Sequence, residues 1–165
     1  MVDVPVAKDL LSDFASIIAN GAPADRLTTI GTAGSTLADR VLIARDAERC
    51  IYAHHYLRSD PDDPHDHPWD NVSLVLTGGY WEHTYEPFMA RLGGKGLAHS
   101  RIWRAPGDVI FRKALDRHRL ELEPGIKPWS LFLTGPEIRE WGFWPGGKFV
   151  VGRDYRANPP RLEVD

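Results

Sequence analysis

The chain has 165 residues, enough for one domain with a sizeable core, and its 42% hydrophobic and 26% charged residues are those of an ordinary globular protein. A formal net charge of −3 offers no global attraction to nucleic acid or anionic lipid, and no apolar run approaches the roughly 20 residues of a membrane span, so neither partner is expected. Acids interrupt the apolar N-terminal stretch, unlike a secretory leader, and the single cysteine, Cys50, has no internal disulfide partner; together they predict a cytoplasmic protein with Cys50 as a small buried hydrophobe.

Residues 8 to 19 place Leu10, Leu11, Phe14, Ile17 and Ile18 at three-to-four spacing. This predicts an amphipathic α-helix ended near Asn20 and Gly21, within an N-terminal helical segment of residues 1–25. From about residue 40 to residue 152 the pattern becomes short apolar or alternating runs broken by Gly, Pro and Asp: RVLIA, CIYAHHYL, VSLVL, YWEHTY, SRIWR, DVIFR, HRLEL and WSLFLT. Runs of this length and spacing predict the antiparallel strands of an all-β sandwich or barrel. LTGGYWEH reads as a hairpin, because paired glycines supply the positive φ of a tight turn. RLGGKGLAHS reads as a flexible loop, and GPEIREWGFWPGGK as a longer ordered one anchored by aromatics. The Pro-rich, polar residues 153–165 are expected to run extended. No repeat, low-complexity tract or linker divides the chain, so a single domain over residues 1–165 is the expectation.

In HDHPWDN, residues two apart on an extended backbone point the same way, so His65 and His67 project to one face. Two converging imidazoles make half a metal site, and the candidate third ligand is His118, which opens HRLEL. Taken alone, a His-x-His pair is weak evidence, being more often two exposed side chains or a coincidence. Asp70 offers a carboxylate alternative, although in a regular strand it points to the opposite face. Residues 101–119 hold Arg101, Arg104, Arg112, Lys113, Arg117 and Arg119 against Asp108 and Asp116. That bias suits a solvated strand face or a site for a carboxylate substrate, with Arg104 and Arg112 as the candidate anion-binding residues. His83, Glu82 and Glu121 are candidates for orienting a ligand histidine or moving a proton, against the plainer reading of strand residues paired with arginines. Of the adjacent His54 and His55 only one can face inward, and both read as structural; His99 falls in the Gly-rich loop and reads as exposed. Among the many aromatics, Tyr80 and Trp81 are candidate pocket-lining residues and most of the others read as core.

His65-x-His67, then Asn71, then Gly78 resembles the first motif of the cupin superfamily, His-x-His-x3-Glu-x6-Gly, in every spacing, with the Glu replaced by Asn71. PGDVIFRKALDRH is similar to the second motif, with His118 following Gly107 at the family's interval. The departures are Ser59, Lys113 and Leu115, which stand where the family usually has Gly, Pro and Gly. HDHPW, GGYWE, FLTGP and WGFW also resemble a group of single-domain cupins from bacteria and phages. The resemblance implies a cupin-type double-stranded β-helix, a jelly-roll barrel with the N-terminal α-helix added, holding one divalent metal ion in its mouth on His65, His67 and His118. Asn71, where the family places a carboxylate ligand, would be a weak ligand at most. A three-histidine set without the carboxylate is similar to that of thiol dioxygenases and diketone-cleaving cupins, which favours Fe(II), with Zn, Mn or Ni as the other candidates. Cupins commonly pair, so a homodimer is compatible with the resemblance.

The functional expectation is a metal-dependent cupin, a mononuclear non-haem Fe(II) dioxygenase acting on a small, carboxylate-bearing molecule. The alternatives are a non-redox metal-dependent isomerase, lyase or hydrolase, and a metal- or ligand-binding cupin without turnover, since fold does not fix function.

Overall fold

The computed structural model describes residues 27–32, 35–87 and 97–158, together with Ser16 and Asn20. In chain order its strands are β1 (Leu27–Thr32), β2 (Ser35–Arg45), β3 (Cys50–Tyr56), β4 (Asn71–Thr77), β5 (Tyr80–Pro87) and β6 (Leu97–Arg104). They continue with β7 (Val109–Arg112), β8 (Arg117–Glu121), β9 (Trp129–Thr134), β10 (Gly142–Phe143) and β11 (Val150–Val151), and a short helix α1 (Gly152–Ala157) follows. Alternation explains the strands: Asn71, Ser73 and Val75 are buried on β4, Ile110 and Arg112 on β7, and His118 and Leu120 on β8, each separated by a more exposed neighbour.

All ladders are antiparallel, and they form a six-stranded sheet in the order β1-β2-β3-β9-β4-β7, a three-stranded sheet β6-β5-β8 and the small pair β10-β11. The two larger sheets face each other across a core of Val75, Tyr80, Ile110 and Leu120, which takes residues from both. Among the described residues the ladder does not close into a continuous barrel. The join lies at His65, outside the regular strands, which bridges to His118 of β8 and to Phe143 of β10. The antiparallel β-architecture therefore follows the sequence expectation, with two open sheets in place of a closed barrel.

Three local expectations come out differently. LTGGYWEH is not a hairpin: β4 pairs with β7 and β9 while β5 pairs with β6 and β8, so Gly78 and Gly79, at φ 75° and 127°, turn the chain from one sheet into the other. A Cβ at Gly79 would meet Trp103 Cζ2 at 2.5 Å and the Arg104 carbonyl oxygen at 2.8 Å, so the corner also requires close approach to β6. Residues 97–100 of the expected flexible loop are strand, held by the register of β6 on β5. The tail expected to be extended from residue 153 begins instead as α1, because Tyr155 stacks on Phe143 at 3.9 Å between ring centroids and its hydroxyl donates to Asp63 at 2.8 Å. The helix expected over residues 8–19 lies outside the described residues apart from Ser16.

Candidate metal centre

Between the sheets lies a cavity of about 390 Å³ whose wall includes His65, His67 and His118. One nitrogen from each of the three lies within 4.8 Å of the other two, and the ring centroids form a near-equilateral triangle with sides of 5.1, 4.7 and 5.1 Å. The segment that carries His65 and His67 is fastened by backbone bonds: His65 and His118 exchange N–H···O bonds at 2.9 and 3.0 Å, and the His67 N–H donates to the Ala114 carbonyl at 3.1 Å. Between the two histidines Asp66 points the other way and is fully buried. Its carboxylate accepts from the Gly142 N–H at 2.8 Å and from Trp144 Nε1 at 2.9 Å, and pairs with Arg139 at 2.9 Å. The alternation that turns two imidazoles inward thus turns the intervening acid into an anchor for β10.

Glu82, 1% exposed on β5, sits behind the triad. It accepts from Arg104 Nε at 2.6 Å, from Arg112 Nε at 2.7 Å and from His118 Nδ1 at 3.1 Å. Burial by itself would raise the Glu82 carboxyl, but the His118 hydrogen bond and the Arg112 charge outweigh it and hold the group well below the ordinary carboxylate range. Burial, aided by the Arg112 charge and opposed by the Glu82 hydrogen bond, takes His118 down to about 3. Burial followed by the neighbouring His118 and His65 also keeps His67 well below its ordinary value. His118 is consequently a neutral imidazole whose Nδ1–H is committed to a carboxylate and whose Nε2 lone pair points away from it, the orientation found in carboxylate–histidine–metal arrangements.

This donor set fits a divalent ion. The Nε2 atoms of His67 and His118 face each other at 2.9 Å, and two ligands at right angles on an ion about 2.1 Å from each would stand about 3.0 Å apart. The two nitrogens can instead share one proton as a hydrogen bond, but that leaves His65 in the cluster without a role. Asn71 is buried on the inward face of β4, and both its side-chain polar atoms lack a hydrogen-bond partner among the described residues. It does not line the cavity that holds the triad, so the structure brings the three histidines together without it. Asp70 accepts from Lys113 Nζ and from the Ala114 N–H, both at 2.8 Å, and likewise stands outside the cavity.

The remaining candidates divide by strand parity. Tyr80 and Arg112 line the cavity, Tyr80 with 0% exposure, whereas Arg104 spends its Nε on Glu82 and does not line it. Arg112 is likewise tied up, with Nε on Glu82 and Nη1 donating to Ser73 Oγ at 2.9 Å. Trp81 lies on the opposite face of β5, bonded to Glu123 at 2.6 Å beneath the Arg101 guanidinium. His83 and Glu121 lie on that outer face too: His83 Nε2 is 2.6 Å from Glu121 Oε2, and its Nδ1 is 2.8 Å from His99 Nε2. His99 is therefore exposed, as expected, but on a strand and partnered. His54 is the inward member of its pair and lines the cavity, while His55 stacks on Trp129 at 4.4 Å. Cys50 is half-buried at the start of β3. Two positioning residues escaped the sequence reading, Asp66 and Arg139. The signal for Asp66 was its place, at opposite parity, between two ligands.

No protein-family model matches this chain, and no curated protein matches it. Among solved structures, the polyketide cyclase RemF from Streptomyces resistomycificus superposes with a TM-score of 0.56 at 14% identity, over 84% of this chain and 92% of that one. Fe(II)-HppE, determined with the alternative substrate (S)-1-HPP, superposes with a TM-score of 0.52 at 10% identity, over 66% of this chain and 54% of that one. The chain thus spans about half the length of HppE. At these identities the likeness concerns the fold alone: a cupin-like β-fold, here with a cluster of three histidines able to hold a metal ion.

Proposed function

We propose that the chain is a metal-dependent cupin enzyme, a mononuclear non-haem Fe(II) dioxygenase acting on a small carboxylate-bearing molecule. The observation that carries the reading is the triad itself: His65, His67 and His118 converge in a cavity with no carboxylate among them. When bound, an Fe(II) ion supplies Lewis acidity, a one-electron couple and the coordination positions that three histidines leave free. The chain's own residues do the rest. Glu82 fixes the tautomer of His118 and balances the charge of Arg112. Asp66 holds the turn that aims His65 and His67. The aromatic walls of Phe132 and Phe143, 5.7 Å from His67 and His65 respectively, keep water from crowding the reacting end. HppE, a fold neighbour, holds Fe(II), which supports the choice of metal.

The second reading is a non-redox metal-dependent lyase, isomerase or cyclase, favoured by the coverage of RemF, whose name is that of a polyketide cyclase. Metal analysis after anaerobic purification, followed by oxygen-uptake measurements with a panel of small carboxylates, separates the two. Iron near one per chain with substrate-dependent uptake supports the dioxygenase. Zinc, manganese or nickel without uptake supports the second reading. Unchanged metal content in His118→Ala removes the triad from both.

A further inference from the structure

The cavity extends past the triad along the inner face of the six-stranded sheet, and a cation stands on that wall. Arg40 of β2 lies directly opposite His54 of β3 in the ladder, so the two share the inward face, and both line the cavity. Arg40 is half-buried. Its Nε donates to Thr28 Oγ1 at 3.1 Å, and its guanidinium carbon lies 4.8 Å over the Tyr52 ring. It forms no ion pair among the described residues, in contrast to Arg104 and Arg112, whose charges are met by Glu82. Among the described residues the one carboxylate on the cavity wall, Asp60, accepts from the Leu120 N–H at 2.7 Å through Oδ2, which stands 3.9 Å from His65 Nδ1, and it forms no ion pair with Arg40. Arg156, also on the wall, is exposed and packs over Trp141. A half-buried guanidinium beside aromatic rings, with a single hydroxyl partner among the described residues, has donors left for an incoming anion.

A continuous run of rings joins that cation to the triad. His67 lies 5.7 Å from Phe132, Phe132 stacks on His54 at 4.9 Å, and His54 stacks on Tyr52 at 6.0 Å, with Arg40 above Tyr52. A saturated, freely rotating ligand would use such a wall poorly, whereas a flat one stacks along it. The volume, about 390 Å³, is near the lower end of small-molecule sites and suits a molecule with one ring or a short conjugated chain.

We infer that the substrate is a planar, unsaturated or aromatic carboxylic acid, its carboxylate paired with Arg40, its body along Tyr52, His54 and Phe132, and its other end at the histidine triad. Arg40 is then the residue that selects an acid over a neutral analogue. The assignment of the reacting end rests on the metal reading above, but the acid-binding end does not.

The test uses trans-cinnamate and its uncharged amide, cinnamamide, titrated calorimetrically into the full chain, both metal-loaded and chelator-stripped. Wild type should bind cinnamate at least about tenfold more tightly than cinnamamide, the scale of one hydrogen bond to a charged group. Arg40→Met should abolish that preference and leave cinnamamide affinity unchanged, while Arg40→Lys should keep part of it. Equal binding of the two probes by wild type, no binding of either, or a preference that survives Arg40→Met overturns the inference. The wild-type comparison needs no variant to fold. If the protein holds no metal yet the Arg40-dependent preference persists in the stripped form, the metal reading fails and the acid site stands. If metal binds at the histidines and no acid preference is seen, the acid site fails and the metal reading stands.

Discussion

Replacement of Glu82 by glutamine is the most informative single change to this site. The side chain keeps its shape, but a neutral amide then faces two guanidinium groups and the His118 imidazole. In the native arrangement both carboxylate oxygens are used, one by Arg104 at 2.6 Å and the other by Arg112 at 2.7 Å and His118 at 3.1 Å. Glutamine has one acceptor. If its oxygen serves Arg112 and His118, its NH2 opposes Arg104; if it turns over, Arg112 is left uncompensated at 6% exposure. Removing one partner of a buried ion pair costs about 3–5 kcal/mol, and the loss of a carboxylate behind a ligand histidine costs about 10–100-fold in metal affinity. Urea unfolding and a chelator-competition titration with Co(II) read the two effects separately. A Glu82→Gln protein within about 1 kcal/mol of wild type, the size of an ordinary surface change, and with unaltered Co(II) affinity would refute the role given to Glu82.

Asp66→Ala should destabilise the fold by about 3–5 kcal/mol, because it leaves Arg139 and two N–H donors without their buried acceptor. It should also lower metal content although it removes no ligand; a stable variant with full metal would refute this. Gly79→Ala should cost about 1–3 kcal/mol or more, since its Cβ would strike Trp103 and the Arg104 carbonyl at φ 127°, and thermal unfolding measures it. Burial, with the Arg40 charge second, takes His54 down to about 3, against about 6.5 in an unfolded chain. Between those values the unfolded chain binds the extra proton, so stability falls as the pH drops through that window, by up to about 1.4 kcal/mol per unit. His54→Phe, which keeps the ring stacking, should flatten the slope between pH 6 and 5 in metal-free protein by about 1 kcal/mol, and an unchanged slope would count against a neutral, buried His54.

Much of this molecule was legible from its residues, and the failures share one cause. VSLVL, DVIFR and HRLEL were readable because alternation is a property of the strand itself. Which side of YWEHTY faces inward is not readable, because parity depends on the partner strand; thus Tyr80 and Glu82 turn to the interior, Tyr80 onto the cavity wall and Glu82 behind the triad, while Trp81 and His83 turn away. Gly78 and Gly79 announced a sharp bend, but a positive φ carries no information on whether the next strand pairs with the last one. Arg104 and Arg112 were identified as cations near the site, yet the buried Glu82 between them, visible only in three dimensions, consumes the charge that a substrate would need. Arg40, at the edge of RVLIA, carried no signal in the sequence because its value comes from lying opposite His54.

The order of strands in the larger sheet also governs how the chain reaches this structure. β9 is inserted between β3 and β4, so Cys50 and Asn71 both sit opposite Thr134. Both pairings join residues far apart in sequence, and closing long loops before such pairings contribute slows the folding of β proteins in general. His65 meets His118 across the join between the two sheets, so the three-histidine pocket exists only where both sheets are paired. An ion that binds only the assembled pocket acts on the escape rate: it retards unfolding and leaves the refolding rate where it was.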